Sequence, residues 1–345
     1  MPRRWFAWLP RHGTSSRTSS VGSPREYRSP SFWDDPGSQV SGAAGVILLI
    51  VGIGVVVFAA DVFVDGLLGV ALALGIAPFV LSVFLSGFET ENLAVGIAAN
   101  AKGLPGAAAG TFLGGVTFLA FGVAGLGGLI APIRVELPTR FAVWTAISPL
   151  PLFAVAIDGH ISRVEGGLLV VWSVVALVGL ARSGRALLVA DDEDEHVRRP
   201  GVRLVVGLAL LTGGGWVIGQ GLRTTVHQLG VPQTLLGNTA LAATVEAEEL
   251  ARFAVPARRG RPEIGLGSIA GTVVHFAALN AGIIAIVKPL TLGSQTTGFY
   301  LPVAVAAPAI FAAVLVIRKQ LGRVEGAALT SLYIAYVVAA IAVST

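Results

Sequence analysis

Ser86-Gly87-Phe88-Glu89-Thr90-Glu91-Asn92-Leu93 and, at a constant offset of 157 positions, Ala243-Thr244-Val245-Glu246-Ala247-Glu248-Glu249-Leu250 put carboxylates in the middle of apolar, membrane-length segments. On an insertion scale each ionisable group near a bilayer centre costs roughly 2.5 to 3.5 kcal/mol, so five acids cost on the order of 12 to 18 kcal/mol. A purely structural helix would not retain them. The two stretches align without a gap, and the same offset carries Leu93 to Leu250, Gly103 to Gly260, Pro105 to Pro262, Gly110 to Gly267, Gly114 to Gly271 and Pro132 to Pro289. Chance matches in so apolar a chain would be Ala, Val or Leu, whereas these include Glu and Pro.

The surrounding composition sets the class. Hydrophobic residues make up 54% and charged residues 13% of the 345 positions, about half the charge content of a soluble domain. The apolar runs have the length that hydrocarbon demands of a helix, and no alternating short strands suggest a barrel. The chain is therefore read as an all-α, multi-pass protein of a cell membrane, with the lipid bilayer as its surroundings. The absence of cysteine excludes disulfides, thiolate metal sites and Cys nucleophiles. The net charge of +4 comes from Arg-rich loops and the N-terminal tail, so it speaks to topology and not to nucleic acid. Residues 1–39, rich in Arg, Ser, Pro and Gly, are expected to be a disordered tail with no cleaved leader.

Hydropathy and breakers predict ten spans, near 40–60, 66–101, 106–131, 139–157, 161–181, 201–220, 232–257, 264–290, 298–317 and 323–343. The second is too long for one straight crossing and is expected to break near Pro78 or Ser86-Gly87. Asp61 and Asp65 then fall in the loop before it, solvated. Arg163-Val164-Glu165-Gly166 opens the fifth span and Arg323-Val324-Glu325-Gly326 the tenth. The chain is thus two five-helix repeats, 40–181 and 201–345, joined by a charged linker over 182–200. An odd number of helices per repeat makes the two halves inverted. Lys and Arg concentrate in alternate loops (Arg134, Arg182, Arg185, Arg198, Arg199, Arg258, Arg259, Arg261, Arg318, Lys319), which assigns that side, the linker included, to the cytoplasm.

In each half the acidic stretch precedes a Gly-rich span, Gly110-Thr111-Phe112-Leu113-Gly114-Gly115 and Gly267-Ser268-Ile269-Ala270-Gly271-Thr272. Small residues let the four segments converge, and carboxylate, amide and hydroxyl oxygens are ligands for Ca²⁺, Na⁺ or a proton relay. The candidate cation ligands are Glu89, Glu91, Asn92, Thr111, Glu246, Glu248, Glu249, Ser268 and Thr272. This pattern resembles the two α-repeats of the cation/calcium antiporter superfamily, which includes sodium/calcium and calcium/proton exchangers, over nearly all of residues 40–343. The resemblance implies alternating access, and it places Glu249 at the family's ion-binding glutamate with Asn92 as its counterpart. The chain departs from the family where the proline before that glutamate is absent, where Thr111 and Ser268 replace the Asn of Gly-Asn, and where Leu119 and Phe276 stand at positions exchangers commonly give to Asn or Asp.

The function expected is secondary antiport of Ca²⁺ or another small inorganic cation against H⁺ or Na⁺, without catalysis and without a resident cofactor. A non-transporting scaffold of the same fold is the main alternative. An intramembrane hydrolase using Ser268 and His275 would leave the acids and the duplication unexplained, and no Gly-x-Ser-x-Gly elbow surrounds Ser268.

Overall fold

The computed structural model describes residues 42–86, 90–183, 198–228 and 247–344. The expected tail, most of the linker, Glu89, Glu246 and the side chain of Glu91 lie outside the described residues.

Helix α1 runs Gly42–Leu74 without interruption, so the loop expected at 61–65 does not exist. Asp61 and Asp65 are helical and ion-paired: Arg259 reaches Asp61 and Asp65 at 2.7 Å each, and Arg203 reaches Asp65 at 2.8 Å. Two acids one turn apart read as a loop in a hydropathy profile, yet they sit on one helical face where cations of other segments find them. The break comes later, before Pro78. Gly75 adopts φ +64°, and the N–H of Ile76 and of Gly75 donate to the carbonyls of Ala71 and Leu72, a Schellman stop that the following proline reinforces. Helix α2 (Pro78–Leu85) and helix α3 (Thr90–Ala101) complete this broken crossing.

The same stop recurs in both halves. Gly103 (φ +79°) ends α3 and Gly260 (φ +77°) ends its repeat mate, each followed by a proline two residues on. Helix α4 (Pro105–Thr117), a π-helical segment Phe118–Val123 and helix α5 (Ala124–Ile130) form one buried span. Beyond β1 (Ile133–Arg134) come α6 (Thr139–Ile147), α7 (Leu150–Ala156), β2 (His160–Ile161), α8 (Arg163–Ser183) and α9 (Pro200–Gln228). Helix α10 (Ala247–Arg258) precedes α11 (Pro262–Val274), a second π-helical segment His275–Asn280 and α12 (Ala281–Val287). β3 (Leu290–Thr291), α13 (Leu301–Arg318), β4 (Gln320–Leu321) and α14 (Arg323–Ser344) follow. These two π segments lie at equivalent repeat positions, a third (Thr296–Tyr300) leads into α13, and such widened turns concentrate at functional sites.

Strand pairing shows that the halves interlock as inverted copies. β1 of the first half pairs with β4 of the second, and β2 of the first with β3 of the second, both antiparallel. Each pairing is the other's image under the repeat. It also brings the connections after the third and ninth crossings to one face and those after the fourth and eighth to the other, as inversion requires. Helix contacts repeat the exchange: a Cβ on Gly166 would come 2.7 Å from the Gly282 carbonyl, and one on Gly326 would come 2.7 Å from the Gly125 carbonyl. The glycine of each Arg-Val-Glu-Gly motif therefore sits where backbones touch. The motif glutamates cap these helices, Glu165 accepting from the Ser162 N–H and Glu325 from the Gly322 N–H.

Eight helical stretches among the described residues are long and apolar enough to cross a membrane. Burial separates centre from rim: 78% and 83% of the apolar windows in 105–130 and 262–287 are buried, against 17% in 323–343. Helices α1 and α9 pack against each other and present Ile47, Phe58, Val205 and Trp216 outward. Lipid is as apolar as these side chains, so contact between the two depends on close packing. A Cβ on Gly66 would lie 2.2 Å from the Leu204 nitrogen, and one on Gly207 would lie 2.5 Å from the Phe63 nitrogen.

Candidate cation site

Helix α10 starts in the interior. Its first turn carries Glu248 and Glu249, and one turn on it carries Arg252; all three are buried, Glu249 to 0% exposure. Spacings of three and four residues put both carboxylates and the guanidinium on one face. Arg252 Nη1 lies 2.5 Å from Glu249 Oε1, and Nη2 lies 3.1 Å from Glu248 Oε1.

Helices α11 and α2 close the site. Ser268 Oγ donates to Glu249 Oε2 at 3.2 Å. Thr272 Oγ1 donates to the Ser86 carbonyl at 3.1 Å and shares its donor with the Ser268 carbonyl at 3.0 Å. Arg252 Nη1 also donates to the Ser86 carbonyl, at 3.3 Å. These reaches depend on glycine: a Cβ at Gly267 would fall 2.4 Å from Ser82 Oγ, and one at Gly271 would fall 2.4 Å from the Val83 carbonyl. The two helices touch backbone to backbone, which brings the end of α2 onto α10 and α11.

In the first half, Asn92 on α3 is half-buried, and Thr111 on α4 donates to the Ala108 carbonyl at 2.8 Å. Thr111 Oγ1 lies 2.8 Å from where a Cβ on Gly96 would stand, so it faces α3 one turn from Asn92. Asn92 and Thr111 are the repeat counterparts of Glu249 and Ser268.

Of the nine expected ligands, the structure joins Glu248, Glu249, Ser268 and Thr272 in one cluster, and sets Asn92 and Thr111 on the matching interface of the other half. Sequence reading missed Arg252, Ser82 and Ser86. A basic residue one turn after paired glutamates, inside an apolar span, was the available signal for Arg252. No signal marked the Ser86 carbonyl, because a backbone acceptor is exposed by a helix end and not by residue type. Leu119 and Phe276 are fully buried, and the Phe276 ring lies against Gly115. His275 Nδ1 bonds the Gly271 carbonyl of its own helix at 2.7 Å, while Ser268 is engaged with Glu249. The two do not form a nucleophile and base pair.

Inverted repeats and buried carboxylates where α10, α11 and α2 meet define a secondary transporter fold within a multi-pass membrane protein. The sequence model of the family described as "Sodium/calcium exchanger protein" matches residues 44–181 and 201–342, and the chain belongs to that family, within the cation/calcium antiporter superfamily. CaxA of Alkalimonas amylolytica, a protein whose name presents it as an antiporter, is 26% identical over 308 residues, 84% of this chain and 96% of its own length. The sodium/calcium exchanger MaX1 of Methanosarcina acetivorans is 29% identical over 110 residues, covering 32% of this chain and 31% of MaX1. Structures of the sodium-calcium exchanger NCX_Mj, soaked with Na⁺ and Sr²⁺, share the fold: one superposes with a TM-score of 0.73 at 20% identity over 86% of this chain and 99% of the other. Another reaches 0.71 at 19% identity with the same coverage.

Proposed function

We propose that this chain is a secondary cation antiporter that exchanges Ca²⁺ or a related cation for Na⁺ or H⁺. The observation that carries the reading is the pair Glu248 and Glu249, buried beside Ser268 where α10, α11 and α2 meet. Carboxylate, hydroxyl and carbonyl oxygens form a hard donor set. A set of this kind is filled by either of two competing ions and not by both, and rocking of one helix group against the other exposes it to one face at a time. Glu89, Glu91 and Glu246 complete the acidic set in this reading, and Asn92 with Thr111 supplies the neutral half. The apolar residues Leu119 and Phe276 reduce the ligand count relative to the exchangers the chain resembles. Fewer metal ligands and surplus carboxylates favour H⁺ as a coupling ion. The Arg-rich face, with the linker, is the cytoplasmic one.

Flux in proteoliposomes tests this. Purified chain should drive ⁴⁵Ca²⁺ uptake under an outward Na⁺ or H⁺ gradient, with proton movement in sodium-free vesicles. Sealed vesicles that move neither Ca²⁺, Na⁺ nor protons between about pH 6 and 8.5 would leave the chain a scaffold of exchanger fold.

A further inference from the structure

The guanidinium of Arg252 has no role in the exchange scheme above. Long basic side chains within a membrane span ordinarily snorkel to the interface. Arg252 does not; its side chain is fully buried at the centre of the cluster. Its Nη1 contacts Glu249 Oε1 and the Ser86 carbonyl, and its Nη2 contacts Glu248 Oε1. The Phe63 ring of α1 lies 5.9 Å from its Cζ. Two carboxylates and one backbone carbonyl are the oxygens a Ca²⁺ or Na⁺ ion would take as ligands. A guanidinium and a metal ion cannot hold the same oxygens together, because each attracts the carboxylates through its own positive charge and repels the other.

We propose that Arg252 is a tethered cation that competes with the transported cation for Glu249, so that cation entry requires the guanidinium to leave Glu249 Oε1. This rests on the transport reading and deepens it. In the ion-free carrier Arg252 compensates one of the two carboxylates of α10; during loading it swings off Glu249 while its attachment to α10 keeps it within reach of Glu248. The residue thereby lowers cation affinity and shields the carboxylates when no ion is bound. Side chains that merely brace a helix would show the opposite behaviour on removal, since a loosened site binds less well.

The test is equilibrium binding of ⁴⁵Ca²⁺ alone and ²²Na⁺ alone to the detergent-purified full chain, as wild type, Arg252→Gln and Arg252→Lys, with proteoliposome flux of each. Arg252→Gln should tighten Ca²⁺ binding about tenfold or more, the direction expected when a competing charge is withdrawn from a buried carboxylate. Arg252→Lys, which keeps the charge but loses the planar fork, should fall between the two. Unchanged or weaker binding by Arg252→Gln overturns the proposal while leaving transport by the wild type intact. If Arg252→Gln does not purify as a monodisperse protein, Arg252→Lys decides alone: tighter than wild type supports the proposal, and equal or weaker overturns it. Loss of the transport reading has a separate signature, wild-type vesicles without any cation flux. Wild type and Arg252 variants that bind neither Ca²⁺ nor Na⁺ would overturn both.

Discussion

Substituting Gly271 by Ala tests whether the site depends on backbone contact between α2 and α11. The new Cβ would stand 2.3 Å from Ser86 Oγ, 2.4 Å from the Val83 carbonyl oxygen and 3.0 Å from the Val83 carbonyl carbon. Ser86 Oγ, which donates to the Val83 carbonyl at 3.0 Å, can turn away only by giving up that bond, and the Val83 carbonyl itself is backbone. Reaching ordinary van der Waals separation from it requires a displacement of about 1 Å between the helices. Thr272 Oγ1 and the Ser86 carbonyl are 3.1 Å apart, and Arg252 Nη1 and the same carbonyl are 3.3 Å apart. A shift of that size carries both beyond hydrogen-bonding range. Two lost bonds at about 1 kcal/mol each and about 1 to 3 kcal/mol of overpacking place the cost at about 3 to 5 kcal/mol. The control is Gly106→Ala, in the first turn of α4, where an added Cβ meets nothing within 4 Å and better helix propensity contributes up to about 1 kcal/mol. Thermal unfolding in detergent, followed by tryptophan fluorescence, should show a clear loss for Gly271→Ala and none for Gly106→Ala. Cation flux should fall with the former only. Equal melting and equal flux in both variants would refute a site built on that contact.

Glu249→Gln should abolish cation-dependent flux while Asn92→Ala mainly weakens apparent affinity, as read from ⁴⁵Ca²⁺ uptake against concentration; equal, mild effects would show that the two are not the ionisable and neutral halves of one site. Gly66→Val should separate α1 from α9, since its Cβ would fall 2.2 Å from a backbone nitrogen, and it should cost more than about 2 kcal/mol in unfolding experiments. Removing the bridge from Arg259 to Asp61 and Asp65, whose side chains are partly exposed, should cost at most about 1 kcal/mol. That difference should vanish near 1 M salt, where the Debye length is about 3 Å, and a persistent deficit at high salt would show a tighter role for the cluster.

Much of the fold was legible because its signals are local. Apolar runs, the prolines after Gly75, Gly103 and Gly260, and the constant repeat offset follow from side-chain polarity and backbone stereochemistry that each segment carries by itself. The errors arose where locality fails. Asp61 and Asp65 read as loop residues because their partners, Arg203 and Arg259, lie more than 130 positions away and reach the Asp61/Asp65 face of α1 from other segments. The glycine of each Arg-Val-Glu-Gly motif was read only as part of a repeat; its contact with Gly282 or Gly125 depends on how two half-molecules interlock.

The sequence alone determined that the chain lives in a bilayer, that it is duplicated and inverted, and that acids are buried at mid-span, because hydrocarbon imposes these constraints residue by residue. Only the tertiary structure decided which groups those acids meet. The choice of Arg252, Ser268 and the Ser86 carbonyl as partners is made by helix crossings at Gly267 and Gly271, where the absence of a side chain on one strand of the chain lets a distant backbone approach, and no local pattern encodes what arrives there.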